Sequence, residues 1–153
     1  MNASTLETER VRRHTSPAVN AKIDHQIAAI VRQYAGESAT VISRRIEEIE
    51  REWDIERVLE TNASILALTG VTLASMFTKR WLLLSGSVLG FLLLHGTQGW
   101  CPPVPLLRRL GVRTCTEIQR ERFALKVLRG DFNDVFRNGT PVSSDQLLAA
   151  LQR

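Results

Sequence analysis

The sequence predicts an all-α protein, a two-span transmembrane helical hairpin flanked by cytoplasmic amphipathic helices. Three observations predict it. Residues 61–100 carry only Lys79 and Arg80 as formal charges, whereas residues 1–60 carry nine basic and eleven acidic side chains and residues 101–153 carry nine and five. Apolar residues on both sides of that stretch recur every three or four positions, the period of a helix with one buried face. The segment after it, "GWCPPVPLLRRLGVRTC" at 99–115, holds both cysteines, three of the five prolines and three arginines.

Residues 1–60 read as the N-terminal cytoplasmic helices. The first sixteen are polar and read as frayed, with no apolar run or small-residue cleavage site of a secretory signal, so membrane insertion falls to an internal segment. Ser16 is the expected N-cap and Pro17 the first helical residue, with Val19, Ile23, Ile27, Ile30 and Tyr34 forming an apolar stripe that Gly36 ends. A second helix starts at Ser38 and repeats the pattern at Ile42, Ile46, Ile49 and Trp53. Glu56 and Glu60 interrupt that stripe after about two heptads, too few for a coiled coil. No Gly or Pro lies between Ser38 and Thr69, so the sequence allows this helix to run into the next segment without a break.

The hairpin is expected at 61–100, with spans at 61–78 and 81–100 and a turn at 79–80. As helices these runs measure about 27 and 30 Å, close to a bilayer hydrocarbon core of about 30 Å. Trp81 and Trp100 bracket the second run, where interfacial indoles belong. Arg44, Arg45, Arg51 and Arg57 precede the first span, and Arg108, Arg109, Arg113 and Arg120 come after the second. They outnumber the two charges of the turn, which predicts that both termini are cytoplasmic. The competing reading is a soluble helical assembly, because Asn62, Thr69, Thr72, Ser75, Ser85, Ser87 and His95 make both runs less apolar than a typical span.

Ala63, Ala67, Gly70 and Ala74 put small residues on one side of the first span, and Gly86 and Gly90 have the same four-residue spacing in the second. Small residues let helices approach closely in lipid. The faces are therefore expected to pack within one hairpin, to form a homodimer or higher homo-oligomer, or both. His95 is the only titratable side chain inside either run, and a bonded neutral imidazole competes with a functional role.

Two thiols stand at the ends of the exit segment. Pro102 and Pro103 predict the end of the second span at Trp100 or Cys101, leaving Cys101 beside a helix C-terminus that disfavours a thiolate. Thr114 and Glu117 have the spacing of a capping box, which puts Cys115 at the first helical position, near Arg113, where a thiolate is favoured. Cys115 is thus the better candidate for a reactive thiol. No zinc-ligand spacing accompanies the pair, and a reversible disulfide or sulfur-carrying pair competes with a purely structural turn. On the structural reading Arg108, Arg109 and Arg113 meet anionic headgroups at the membrane interface.

The stretch carrying Gly99, Trp100, Cys101, Pro102, Gly111, Thr114 and Cys115, with the hairpin before it, resembles the YgaP-like inner-membrane transmembrane domain family. The resemblance covers about residues 52–116. It implies a small two-span bacterial membrane domain able to dimerise through its spans and often joined to a sulfurtransferase (rhodanese) domain. This chain has no such domain in residues 1–60, so the resemblance implies the stand-alone form and no persulfide chemistry.

From Thr114 a helix should run to about Gly130, with Ile118, Leu125, Leu128 and Phe132 on one stripe and Arg120, Arg122, Lys126 and Arg129 elsewhere. It is expected on the membrane surface or packed on the N-terminal helices, two uses that are compatible. A last short helix is expected from Ser143 or Ser144. Residues 101–153 are therefore the exit segment and then cytoplasmic helices.

The formal charge is +4, yet no basic and aromatic surface pattern points to nucleic acid. No Ser/His/Asp set, phosphate loop, carboxylate pair or metal-ligand cluster is present, so no cofactor or metal is implied. The expectation is a structural or interaction protein whose partners are the lipid bilayer, its own copies and an unidentified membrane or cytoplasmic protein. The alternative is a membrane-attached thiol protein relaying sulfur or redox equivalents through Cys101 and Cys115.

Overall fold

The computed structural model describes residues 10–133, and all regular structure among them is helical. After a helical turn at 10–13 come α1 (Pro17–Tyr34), α2 (Ala39–Glu50), α3 (Ile55–Met76), a 3-10 turn (Lys79–Trp81), α4 (Leu82–Gln98), α5 (Val104–Arg109) and α6 (Cys115–Arg129). Pro17 opens α1 and Ser38 stands as the N-cap of α2, as their residue types dictate. The short helix expected from Ser143 or Ser144 lies outside the described residues.

The chain divides into two units that interleave along the sequence: Met1–Asp24 with Trp53–Glu117, and His25–Glu52 with Ile118–Arg153.

The first unit contains α3 and α4, which the three-residue turn reverses so that they pack side by side. Close approach is made at Gly70, which is buried: a Cβ there would lie 2.4 Å from Ser85 Oγ and 3.1 Å from both Ser85 N and Trp81 O. Ser85 Oγ spans the gap by donating to the Ala67 carbonyl at 2.8 Å. A second anchor lies where α3 begins. Val11, Ile55, Leu59, Cys101 and Val104 form a buried cluster with Leu107 and Val112 packed on it.

Three features of this unit differ from what the sequence allows or predicts. α2 and α3 are separate helices because Asp54 caps α3: its carboxylate accepts from the Arg57 N–H at 2.8 Å, and the Ile55 N–H is turned outward to donate to the Arg113 carbonyl at 2.9 Å. Trp53 falls in this break, 46% exposed, with the Arg57 guanidinium 4.6 Å above its ring. α4 ends at Gln98, ahead of the prolines, because Gly99 adopts φ 75° and its N–H donates to the His95 carbonyl at 2.7 Å. Arg10 then packs on Gly99 and its Nη1 donates to the Thr97 carbonyl at 3.2 Å. Residues 10–16 are accordingly held in place, with Val11 and Thr15 buried; residues 1–9 lie outside the described part.

The second unit packs α2 on α6. Ile42, Ile46 and Ile49 form a buried cluster with Ile118 and Leu125, and Tyr34 covers it. Buried Glu121 accepts from Arg45 Nε at 3.1 Å and Nη2 at 2.9 Å. Arg122 pairs with Glu50 at 2.7 Å, and Arg129 Nη1 donates to Ser43 Oγ at 2.9 Å. The cations of α6 that reach α2 are engaged there, and Lys126 is buried. α6 thus packs on α2, while its Phe123, Val127 and Leu128 stay exposed.

The Gly70 contact makes a direct prediction. Gly70→Ala forces Ser85 Oγ out of its bond to Ala67 and crowds the backbone at Ser85 N and Trp81 O, and Gly70→Val adds two more carbons there; overpacking of this kind costs about 1–3 kcal/mol. Thermal unfolding should fall in the order wild type, Ala, Val, whereas Gly86→Ala and Gly90→Ala, where nothing lies within 4 Å of an added Cβ, should leave it unchanged.

Candidate functional site

The residues that could do something fall into three groups: the faces of the helix pair, a buried charge cluster, and the thiols. On α3, Ala63, Ala67 and Ala74 are half-buried and Gly70 is buried against α4. On α4, Gly86 and Gly90 are exposed and nothing stands near them. The two small-residue patterns are thus used differently: one makes the intrachain contact, and the other faces outward beside Leu83 and Leu93, which are 75% and 70% exposed.

Around this pair the apolar surface is extensive. Ile65, Leu68, Val71, Met76, Phe77, Leu83 and Leu89 are all more than half exposed. In the most apolar stretch of each helix only 11% and 6% of the residues are buried, and both helices are long and apolar enough to cross a membrane.

The charge cluster is built on the capping box. Thr114 N–H donates to Glu117 Oε2 at 2.9 Å and Glu117 N–H to Thr114 Oγ1 at 3.4 Å, so both orphan donors at the start of α6 are met. The same carboxylate takes both ends of the Arg108 guanidinium, at 2.6 Å and 2.8 Å, and also accepts from Arg12. Arg12 continues to Asp24 at 2.7 Å, and Arg108 Nη2 donates to Asn20 Oδ1 at 2.9 Å. Burial alone would raise the Glu117 carboxyl, but Arg108, the Thr114 N–H and Arg12 override it and hold the group at about 2.

This cluster corrects the expectation for the interface arginines. Arg108 is 1% exposed and spends its charge on Glu117, and Arg113 is also buried, its carbonyl accepting from Ile55. Neither presents a guanidinium to a headgroup. Arg109 is exposed. Of the two tryptophans expected at the interfaces, Trp81 is exposed and Trp100 half-buried.

The third group is the thiols. Cys101 is 4% exposed, part of the apolar cluster at the start of α3, and its thiol is pushed up by burial, the Val104 N–H offsetting only part. Cys115 does sit at the first position of α6, but its thiol is pushed up as well, first by burial and then by the carboxylates of Asp54 and Glu56. Those two acids lie about sixty residues away in sequence, beyond any local pattern around 113–117, and burial, with their help, reverses the thiolate-favouring environment predicted from Arg113 and the helix N-terminus. Both cysteines are free thiols.

His95 lines a cavity of about 160 Å³ with Arg10, Glu56 and Glu60, where α4 meets the start of α3. A larger apolar groove of about 450 Å³ lies along the pair, lined among others by Ala63, Leu66, Val88, Phe91 and Pro102. No group of three or more His, Cys, Asp or Glu among the described residues could hold a metal ion. No family model, curated protein or solved structure matches this chain.

Two measurements check these assignments. Unfolded, a Glu titrates near 4.3, so Glu117 contributes fully above about pH 4.5 and its contribution disappears as pH falls through about 2, a change of about 3 kcal/mol. Acid unfolding monitored by circular dichroism should show this loss. Glu117→Gln should flatten it and, by stranding a buried Arg108, lower stability at pH 7 by about 3–5 kcal/mol. For Cys115, the pH midpoint of alkylation should lie above the ordinary cysteine value of about 8.5 and move down in Glu56→Gln.

Proposed function

We propose that the chain is a small integral membrane protein of structural or interaction type, a two-span helical hairpin with both termini in the cytoplasm of a bacterial cell. One observation carries this reading. Two consecutive helices turn apolar side chains outward over most of their length and bury only 11% and 6% of their most apolar stretches. In water so large a contiguous apolar surface would be strongly unfavourable, while in a bilayer it is the solvated state. Together α3 and α4, about 33 and 26 Å long, suit the thickness of a hydrocarbon core. The likeness of residues 52–116 to the YgaP-like transmembrane domains agrees with it and rests on the matched residues alone.

Self-assembly belongs to the same proposal. The outward Gly86 and Gly90 leave a shallow place on α4 where the α4 of a second copy packs closely. The thiol relay has less support, since burial disfavours both thiolates and the Asp54 and Glu56 carboxylates add to that at Cys115.

Alkaline carbonate washing of membranes from expressing cells should leave the protein in the pellet; release to the supernatant would overturn the membrane reading and favour a soluble assembly that buries the same faces between copies. In mild detergent, Gly86→Leu with Gly90→Leu should reduce crosslinked dimer at least several-fold without changing the helical content of the monomer.

A further inference from the structure

We propose that the turn between α3 and α4 is a contact site for anionic phospholipid headgroups, with Lys79 and Arg80 binding the phosphate while Phe77 and Trp81 seat the turn at the acyl boundary. The inference rests on the membrane reading above and goes beyond it, because it names which lipid the hairpin selects and where.

Between residues 61 and 100 the turn holds the only formally charged side chains, Lys79 and Arg80. Lys79 and Arg80 are both exposed, and neither side chain has a hydrogen-bond or ion-pair partner among the described residues. No Asp or Glu occurs anywhere from residue 61 to residue 116. The nearest acid before the turn in sequence, Glu60, precedes Phe77 by about 25 Å of helix, several times the screening length of about 8 Å at physiological salt. The two cations therefore have no countercharge within electrostatic reach along the hairpin. Their surroundings are apolar: Met76 and Phe77 are 70% and 69% exposed, Trp81 42% and Leu82 48%. Adjacent cations ringed by exposed aromatic and aliphatic side chains match a phosphate at the boundary between headgroups and chains, and a zwitterionic headgroup would return only part of the charge.

At the other end of α4 Arg108 and Arg113 are buried, and Arg109 is exposed beside Leu106 and Leu110; the turn differs from that end in having two adjacent exposed cations with an exposed aromatic side chain on either side.

The test uses the full chain in vesicles of phosphatidylcholine and phosphatidylglycerol at equal mole fractions, with either lipid carrying brominated acyl chains that quench nearby indoles. Subtracting the signal of Trp81→Phe isolates Trp81. Brominated phosphatidylglycerol should quench Trp81 more than brominated phosphatidylcholine, with a preference of about five-fold for each cation. That preference should vanish in Lys79→Gln with Arg80→Gln, exposed substitutions that leave the packing of α3 on α4 untouched, and should shrink in 0.5 M salt. Equal quenching by both lipids, or a preference that persists in the double variant, overturns the headgroup site while leaving the membrane reading intact. No quenching by either lipid, together with release by carbonate, overturns both.

Discussion

The Glu117 carboxylate is the interaction on which the first unit depends. It lies where the helical turn at 10–13, α5 and the start of α6 meet, and it accepts from one residue of each: Arg12, Arg108 and Thr114. Removing a carboxylate and two guanidinium groups from water is expensive, and the geometry offsets the cost only because nearly every donor is met. The fork of Arg108 fills both carboxylate oxygens, while Asn20 and the Val112 carbonyl take more of its N–H groups. Electrostatics here fixes position: α5 cannot rotate about its axis without breaking a bidentate pair.

That constraint sets the path of the chain beyond the second membrane-length helix. With Arg108 held inward, the adjoining apolar cluster can close over Cys101 and Val104, and the Arg113 carbonyl is brought to the Ile55 N–H at the first residue of α3. The segment thus returns from the end of α4 to the beginning of α3, and the two helices are tied at both ends. At one end the tie is this cluster; at the other it is a three-residue turn. Between them Gly70 and Ser85 set the approach. A hydroxyl donating to a backbone carbonyl across two helices satisfies a polar group that hydrocarbon would leave without a partner.

Some of this was readable in the sequence because both partners lie within one turn of helix. Thr114 and Glu117 form the capping box their spacing announces, Pro17 and Ser38 stand at helix starts, and the stripe of Ile42, Ile46 and Ile49 is buried as its period requires. Other features needed partners far along the chain. Glu117 and Arg12 are 105 residues apart, Arg45 and Glu121 are 76 apart, and no local pattern distinguishes these arginines from solvated ones. The α2–α3 break was marked by Asp54, a good N-cap residue, but with no Gly or Pro nearby the local signal was weaker than the apolar continuity around it. Gly70 and Gly86 show the same limit, since which small residue meets its neighbour depends on how the helices cross.

In the exit segment local chemistry and distant partners act together. Its concentration of cysteine, proline and arginine looks like an active site, yet each residue type has a mechanical reason to be there. Gly99 ends α4 in a left-handed conformation before the prolines act, with Arg10 filling the space a Cβ would need. Cys101 then behaves as a small apolar residue that packs among Val11, Ile55 and Leu59 where a larger side chain would crowd them. Pro103 and Pro105 start a helix too short to persist alone, and Arg108 secures it by binding Glu117. The place of Cys101 in that cluster is a packing role, although Cys101 also lines the apolar groove along α3 and α4.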